Sequence, residues 1–408
     1  MSLDQSFVYE VGGWVATQLE ACTRCGICAE ACPFYKTLGN PEYTPIWKLE
    51  LLRRAYEQNF TLGGKIRTAM GLEKSITEAD LLHWRDLNYN ACSTCNKCSM
   101  ACPMGITVGL LMHQMRNALA DAGYAPENML KIRDAIIEAD NLFGYPNYER
   151  AGWVDYMPDA PDDYFEREQA EVVYFTGCVV SFSPAAQRIA EAVARVLTAA
   201  EVDFTLLGED ETCCGFPLKA AGLADAAAEL KRRNIEAVAA TGAQTIVFSC
   251  PACRLTWLRD YAEHLPQVRA LHTTEFMAEL IRAGKLQLNP LENDVTYHDP
   301  CDLARNGGVY KAPREVLQAI PNVTLLEADE RRTSGLCCGG GGNVEAVAPD
   351  NVDQVGRAAL QKLAATGAQT LITACPQCMR IFERANKAAP DKLEILDVAE
   401  VVAQSVAG

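Results

Sequence analysis

Apolar positions recur along this chain with two different periods, and the change of period divides it. In the first third, Ile46, Leu49, Leu52 and Ala55 stand three or four residues apart, the spacing that lines one face of an α-helix. Ser75, with Glu78 three residues on, reads as a capping box that opens a helix through Leu82. A further helical stretch runs from about Val108 to Asp140. Almost nothing in this part reads as a strand. From Gly144 to Arg167 the texture changes, with Pro146, Pro158 and Pro161 set among Asp155, Asp159, Asp162, Asp163 and Glu166. A segment like this has little to bury and is broken by prolines, so residues 144–170 are expected to form an acidic, proline-rich linker.

Beyond the linker, short β-rich runs alternate with helical ones. Runs from Val172 to Cys178 and from Val202 to Leu207 are followed by a third that ends at Cys250. The pattern then returns as Val295 to Cys301, Val323 to Leu326 and a third run ending at Cys375. Strands alternating with helices imply a parallel sheet in each copy. The copies are related in sequence as well, since Ala239 to Thr245 recurs letter for letter as Ala364 to Thr370 within a duplication of about 124 residues. The expected organisation is therefore an α-helical domain over 1–143, the linker, and two duplicated α/β domains with parallel sheets over 171–290 and 291–408.

Composition narrows the class. A polypeptide of 408 residues is long enough for two or three domains with a sizeable core. With 49% hydrophobic and 22% charged residues it is an ordinary globular protein, which excludes disorder as the main story. No run approaches the 18 or so apolar residues of a membrane span, and Met1 to Glu20 lacks the basic stretch, apolar core and cleavage site of a signal peptide. The expected location is cytoplasmic, with contact to the inner face of a membrane only through a partner subunit. A formal charge of −16 repels phosphate backbones, so nucleic acid is not an expected partner.

The 18 cysteines change the picture most. A cytosolic protein of this size does not need disulfide staples, so they point to metal binding or redox chemistry. Cys22, Cys25, Cys28 and Cys32-Pro33 form a C-x2-C-x2-C-x3-C-P run that recurs as Cys92, Cys95, Cys98 and Cys102-Pro103. Three thiolates on one tight turn fit one corner of a cubane [4Fe-4S] cluster, while the cysteine before proline ligates the neighbouring cluster. By that rule Cys22, Cys25, Cys28 and Cys102 hold one cluster, and Cys92, Cys95, Cys98 and Cys32 the other. Zinc also takes thiolates, but usually on separated C-x2-C pairs without the trailing C-P. This makes the helical region a ferredoxin-like domain.

The remaining ten cysteines fall into two sets. Cys178, Cys213, Cys214, Cys250 and Cys253 follow C-x34-CCG-x34-C-x2-C, and Cys301, Cys337, Cys338, Cys375 and Cys378 follow C-x35-CCG-x35-C-x2-C. Five thiolates exceed the four that a structural zinc or a cubane takes, so an unusual centre is expected at the carboxyl ends of the strands. The plain alternative is cysteine as a small buried hydrophobe.

The copies differ around these sets. His298 and Asp299 precede Cys301, where the first copy has Phe175 and Thr176. A histidine near a leaving thiolate can protonate it, whereas a histidine at a strand end more often satisfies a backbone or carboxylate partner. After the paired cysteines, Gly215-Phe216-Pro217 is replaced by Gly339 to Gly342, whose missing side chains suit close approach to a cluster or substrate and a more open second site. This segment fits neither G-x-G-x-x-G nor a P-loop.

Two ferredoxin-type runs followed by two CCG domains resemble the iron-sulfur subunits of the heterodisulfide reductase group, in the D-type form that fuses the small ferredoxin subunit to the CCG subunit in one polypeptide. The layout is also similar to glycolate oxidase and lactate-utilisation iron-sulfur subunits. The resemblance runs from about Cys22 to Val402. It implies two cubane clusters and, at the ten CCG-domain cysteines, two noncubane [4Fe-4S] clusters that reduce or form a disulfide or sulfur-bridged substrate, small or carried on a protein. It also implies a flavoprotein or a membrane haem or quinone-side subunit as partner. The competing reading is an electron-transfer subunit of a flavin-dependent glycolate or lactate (2-hydroxyacid) dehydrogenase.

Overall fold

The computed structural model describes residues 12–406 except 74, 159 and 391. Residues 1–11 of the N-terminal stretch and Asp159 of the acidic run lie outside them. The molecule splits into two compact units that do not follow chain order. The first comprises 1–131, 217–224 and 339–355, and the second 132–216, 225–338 and 356–408.

The first unit is helical, and among the described residues it contains no strand. Its longer helices are Gly13–Ala21, Glu50–Phe60, Leu62–Ala69, Glu78–Asn90 and Val108–Asp121. The capping box at Glu78–Asn90 is formed by Thr77 and Asp80, two residues later than Ser75 and Glu78 suggest. In this register the Thr77 hydroxyl accepts from the Asp80 N–H at 3.2 Å, the Asp80 carboxylate accepts from the Thr77 N–H at 2.9 Å, and Leu81, Trp84 and Leu87 are buried. The helical stretch expected from Val108 to Asp140 is broken in two. Gly123, at φ +84°, ends the first helix by donating to the Ala120 carbonyl, and the chain resumes as Glu127–Ala139.

One buried arginine closes this unit across distant parts of the sequence. The Arg116 guanidinium donates to the carbonyls of Asn88 (2.8 Å), Cys92 (2.6 Å), Ala220 (2.6 Å) and Gly342 (2.9 Å), and lies 4.8 Å over the Tyr89 ring. Tyr89 donates in turn to the Ala221 carbonyl at 2.7 Å. Four carbonyls from three segments thus meet one guanidinium, which is how a buried cation is best satisfied without a carboxylate.

The second unit holds both α/β copies. β1 (Val172–Phe175), β2 (Phe204–Thr205), β3 (Thr245–Phe248) and β4 (Arg269–His272) form a parallel sheet in the order β2-β1-β3-β4. β5 (Asn293–Tyr297), β6 (Val323–Leu325), β7 (Thr370–Thr373) and β8 (Glu394–Asp397) repeat it as β6-β5-β7-β8. The fourth strand of each sheet goes beyond the three runs expected. The helix Pro184–Ala199 of the first copy packs on Val398–Ser405 of the second, and Thr273–Arg282 on Ala312–Ala319, so each copy offers the other an equivalent layer. Arg188 fastens that contact through Glu383 (2.6 Å), Glu400 (2.7 Å) and the Ile395 carbonyl (2.8 Å).

Residues 144–170 are folded into this unit, contrary to the linker reading. Asn147–Tyr156 forms 3-10 helix and buries Arg150, Ala151, Trp153 and Val154. Phe165 stacks 5.0 Å from Phe204, and its carbonyl accepts from Leu206 at 2.9 Å. Pro146, Pro158, Asp155, Asp162, Asp163 and Glu166 are exposed, on the solvent side of a segment whose few apolar residues reach the core.

Candidate metal centres

In the first unit the two C-x2-C-x2-C turns are built alike. Arg24 and Gly26 in one, and Thr94 and Asn96 in the other, take left-handed φ values of 56°, 85°, 53° and 63°. These paired reversals coil each turn so that its cysteines converge, and three of the four positions tolerate them without being glycine. Cys28 and Cys98 lie on the short helices Ile27–Ala31 and Lys97–Met100 that follow.

The cysteines surround two cavities. One is lined by Cys22, Cys25, Cys28 and Cys102 among Ile46, Leu49, Ile106 and Leu111. The other is lined by Cys32, Cys92, Cys95 and Cys98 among Phe34, Pro45 and Met112. Each cavity therefore draws three cysteines from one run and the fourth from the other. Among the described residues no three His, Cys, Asp or Glu side chains converge on a point for a single ion; the thiols stand around a space instead. Burial and neighbouring thiols raise the Cys28 pKa to about 11 and that of Cys98 well above the ordinary thiol value. Without a metal these are protonated thiols, and metal binding displaces their protons. Four soft donors around an apolar space fit a [4Fe-4S] cluster.

The charged surroundings of the two cavities differ. At the first, Arg53 bonds to Glu50 and Glu57, and Arg24 lies 3.6 Å from Glu57. At the second, Lys48 is 1% exposed, with Nζ 3.8 Å from Cys32 Sγ and bonded to the Ala91 carbonyl.

The Gly339–Gly342 run belongs to the first unit, and its glycines serve a different purpose from the open site expected. A Cβ on Gly341 would stand 2.8 Å from the Ser93 carbonyl oxygen, and one on Gly342 3.1 Å from that of Cys92. Main chain packs on main chain there, against the second ferredoxin-type turn.

In the second unit the CCG-domain cysteines gather where the parallel sheets change direction. Cys178 follows β1 and Cys250 follows β3, the two strands between which the first sheet reverses its order, and Cys301 and Cys375 hold the same places after β5 and β7. In the first copy the thiols form a series in which each perturbs the next, from Cys178 through Cys213, Cys214 and Cys253 to Cys250. Its middle members pull in opposite directions, the Cys214 pKa being lowered by the thiols of Cys213 and Cys253 while that of Cys253 is raised. Gly177, at φ +77°, permits the approach, since a Cβ there would lie 3.2 Å from Cys253 Sγ. In the second copy Cys378 and Cys338 are 3.3 Å apart, and Cys378 perturbs the Cys375 thiol. Cys301 and Cys337 are buried in the same copy. The two sets adjoin, because Cys375 feels Cys250 of the other copy, and Cys250 feels Asp302 beside Cys301.

Buried ion pairs support both sets, and no pattern in the sequence points to them. In the first copy Arg150 Nη1 meets Glu211 at 2.7 Å, and the Glu211 carboxylate also accepts the N–H groups of Thr176 and Gly177, each at 2.8 Å. Burial disfavours the Arg150 charge, but Glu211 and then Cys178 raise its pKa, so the charge is retained. The main-chain N–H of Leu142 also reaches Cys178, and the Asp140 carbonyl accepts from Cys213 at 2.7 Å. In the second copy Asp299 pairs with both Nη atoms of Arg314, at 2.8 and 2.9 Å. The carboxylate has changed sides. Glu211 stands two residues before the paired cysteines, where the second copy has Gly335, and Asp299 stands where the first copy has Thr176. A Cβ on Gly335 would lie 3.0 Å from the Arg332 carbonyl oxygen and 3.2 Å from the Asp299 Cβ, a tight fit on that side of the carboxylate.

His298 is 1% exposed, edge-on to Phe382 at 4.7 Å, with Nδ1 3.2 Å from Thr373 Oγ1. Burial, with Arg305 adding to it and Asp299 opposing, lowers its pKa to about 4. The proton donor poised near neutral pH that the sequence suggests does not fit this environment, which keeps the ring neutral. His272, unremarked in the sequence, is more central. Its Nδ1 accepts from the Thr274 N–H at 3.2 Å, leaving Nε2 to donate to the Ser249 carbonyl at 3.1 Å, and the ring also meets the Ala374 carbonyl. One neutral imidazole thus touches the residue before Cys250 and the residue before Cys375. A legible signal existed, since His272-x-x-Glu275 caps its helix as Asp397-x-x-Glu400 does in the other copy.

Comparison with known proteins covers both kinds of cysteine-bearing region. Residues 18–106 match a 4Fe-4S dicluster domain, and residues 172–257 and 295–383 each match a cysteine-rich CCG domain. The chain is 32% identical over 399 residues to the D subunit of the dihydromethanophenazine:CoB–CoM heterodisulfide reductase of Methanosarcina barkeri, covering 95% of this protein and 94% of that one. Its counterpart in Methanosarcina acetivorans is 33% identical with the same coverage. An EtfAB:quinone oxidoreductase of Syntrophomonas wolfei is 29% identical over 96% of this protein and 58% of its own length. With helical ferredoxin-type and paired CCG regions in one polypeptide and this identity over nearly its full length, the protein belongs to the family of heterodisulfide reductase D subunits and is an iron-sulfur oxidoreductase subunit.

Proposed function

We propose that this protein conducts electrons between a partner subunit and a sulfur substrate, reducing or forming a disulfide or sulfur-bridged compound at the CCG domains. In this reading Cys22, Cys25, Cys28 and Cys102 hold one cubane cluster, and Cys32, Cys92, Cys95 and Cys98 the other. Cys178, Cys213, Cys214, Cys250 and Cys253 hold one noncubane cluster, and Cys301, Cys337, Cys338, Cys375 and Cys378 the second. When bound, the clusters supply one-electron steps, two of which are needed to split an S–S bond. The protein's part is to fix the thiols and to hold compensating charge beside them through Arg150. It also keeps the two C-x2-C turns in register through His272. His298 is a neutral positioning residue against Thr373 in this account.

The observation that carries the reading is the adjacency of the two five-cysteine sets, with Cys250 and Cys375 within electrostatic reach of each other. Two thiophilic centres side by side suit a substrate that yields two sulfur atoms. The partner we propose is a flavoprotein or a membrane haem or quinone-side subunit, with this protein in the cytoplasm at the inner face. Among the described residues no helix is long and apolar enough to cross a membrane, so membrane contact would come through that partner. The likeness to an EtfAB:quinone oxidoreductase favours a second reading, in which the protein only carries electrons for a flavin-dependent dehydrogenase.

Anaerobic EPR with iron and acid-labile sulfide counting separates the two. Iron approaching about 16 per chain, with a thiol-dependent signal that is lost in Cys337→Ser, is the expected result. About 8 irons after full reconstitution, with spectra indifferent to thiols and disulfides, would leave the carrier reading.

A further inference from the structure

We propose that Lys48 sets the order of the two ferredoxin-type centres, making the one at Cys32, Cys92, Cys95 and Cys98 the more readily reduced. The inference rests on the reading that each cysteine quartet holds a cubane cluster.

Lys48 ends the short helix Pro45–Lys48, which places it at the wall of the second cavity. Its side chain is held from several sides. Nζ bonds to the carbonyl of Ala91, the residue before Cys92, and lies 3.8 Å from Cys32 Sγ. The rings of Phe34 and Tyr43 stand 5.7 and 5.9 Å from it. The Lys48 carbonyl accepts from Asn88 at 3.2 Å, which anchors the main chain beneath.

A buried ammonium is expensive unless something compensates it. The polar partners of Lys48 among the described residues are a carbonyl and a sulfur, and neither is a carboxylate. The negative charge that suits this position is that of the thiolate-bound centre. At the first cavity the balance is different, since Arg53 is bonded to Glu50 and Glu57 and the half-exposed Arg24 faces Glu57. Those carboxylates cancel the field that the guanidinium groups would otherwise exert, and solvent screens what remains. A net positive charge beside one centre favours the form that has gained an electron, because Coulomb energy at this range is large when screening is weak. The electron shared between the two therefore resides at the Lys48 side. No bond or proton changes place.

The test is an EPR-monitored redox titration of the holoprotein with its iron counted. Wild-type protein is compared with Lys48→Met, which removes the charge at similar length, and Lys48→Arg, which keeps it. The signal that changes in Cys95→Ser identifies the second centre. The expected result is that Lys48→Met lowers the midpoint of that centre by about tenfold or more in its reduced-to-oxidised ratio, roughly 59 mV for one electron. The other centre should not move, and Lys48→Arg should stay near wild type. If Lys48→Met fails to load, Lys48→Gln, which still reaches the Ala91 carbonyl, is titrated in its place. Full iron content with both midpoints unmoved overturns the inference alone. A wild-type protein with a single cubane signal overturns the reading beneath it, and the inference with it.

Discussion

Arg150 and Glu211 face each other at 2.7 Å with side-chain exposures of 2% and 1%, directly behind the first CCG-domain cysteine set. A pair so completely buried is costly to break, because removing one partner strands the other charge out of water. Glu211→Gln should therefore destabilise the protein by about 3–5 kcal/mol, read as a lower midpoint in chemical denaturation. Replacing both residues by apolar ones of similar size should cost clearly less than either single change. A double-variant loss equal to the sum of the two single losses would show that the pair is not coupled.

The second copy offers the matching experiment at the other end of the relationship. A Cβ on Gly335 would crowd the Arg332 carbonyl oxygen at 3.0 Å and the Asp299 Cβ at 3.2 Å, and Asp299 also accepts from the Arg332 N–H at 2.7 Å. Gly335→Glu sets a second carboxylate beside Asp299 and should fold poorly alone, and it should recover when combined with Asp299→Thr, which gives the Thr and Glu pairing of the first copy. Thermal unfolding of the two variants checks this, and a double variant no better than the single would refute the exchange.

Asp397 and Glu400 give the stability a pH dependence of known sign. Burial raises the Asp397 pKa to about 8 and that of Glu400 to about 7, against about 4 in the unfolded chain. Between those values the folded protein binds more protons than the unfolded one, so stability falls as pH rises from about 4 through 8. Asp397→Asn keeps an acceptor for the Ala399 N–H and needs no proton. Its Tm should match wild type near pH 5 and exceed it near pH 9. A gap that does not change with pH would contradict this account.

Main-chain packing at the glycine run should be sensitive to a single methyl group. Gly341→Ala brings a carbon to 2.8 Å from the Ser93 carbonyl oxygen, whereas a Cβ on Gly152 meets nothing within 4 Å. The first substitution should lower iron content and alter the cubane signal of the Cys92 run. Gly152→Ala should leave both unchanged, and iron analysis of the two proteins decides.

Some of this was legible in the amino-acid sequence and some was not, for physical reasons. Cysteine spacing is local, so the turns around Cys25 and Cys95, and the crossed quartets that line the two cavities, follow from a few residues in each run. The duplication likewise announced two parallel sheets, because period and repeat are properties of neighbouring residues. The strands Arg269–His272 and Glu394–Asp397 were missed because each is four residues long and begins with an exposed charge. Buried Arg116, Arg150 and Lys48 were invisible for the opposite reason. A charged side chain reads as surface until its partners are known, and theirs come from remote segments such as Gly342 and Glu211. The segment around Trp153 read as linker because its prolines and acids outnumber the few apolar residues that fold it.

The discontinuous first unit has a consequence for how the protein is made. Synthesis proceeds from the N-terminus at about 5–20 residues per second, and a helical domain encoded first would ordinarily be complete first. Here the ferredoxin-type unit includes residues 217–224 and 339–355, so the carbonyls of Ala220 and Gly342 can both reach Arg116 only after more than 200 further residues have left the ribosome. For that interval the Cys92 loop lacks the main-chain contact that braces it. Iron delivered before residues 339–355 emerge would meet an unfinished site, which places final maturation of this unit after that point in synthesis.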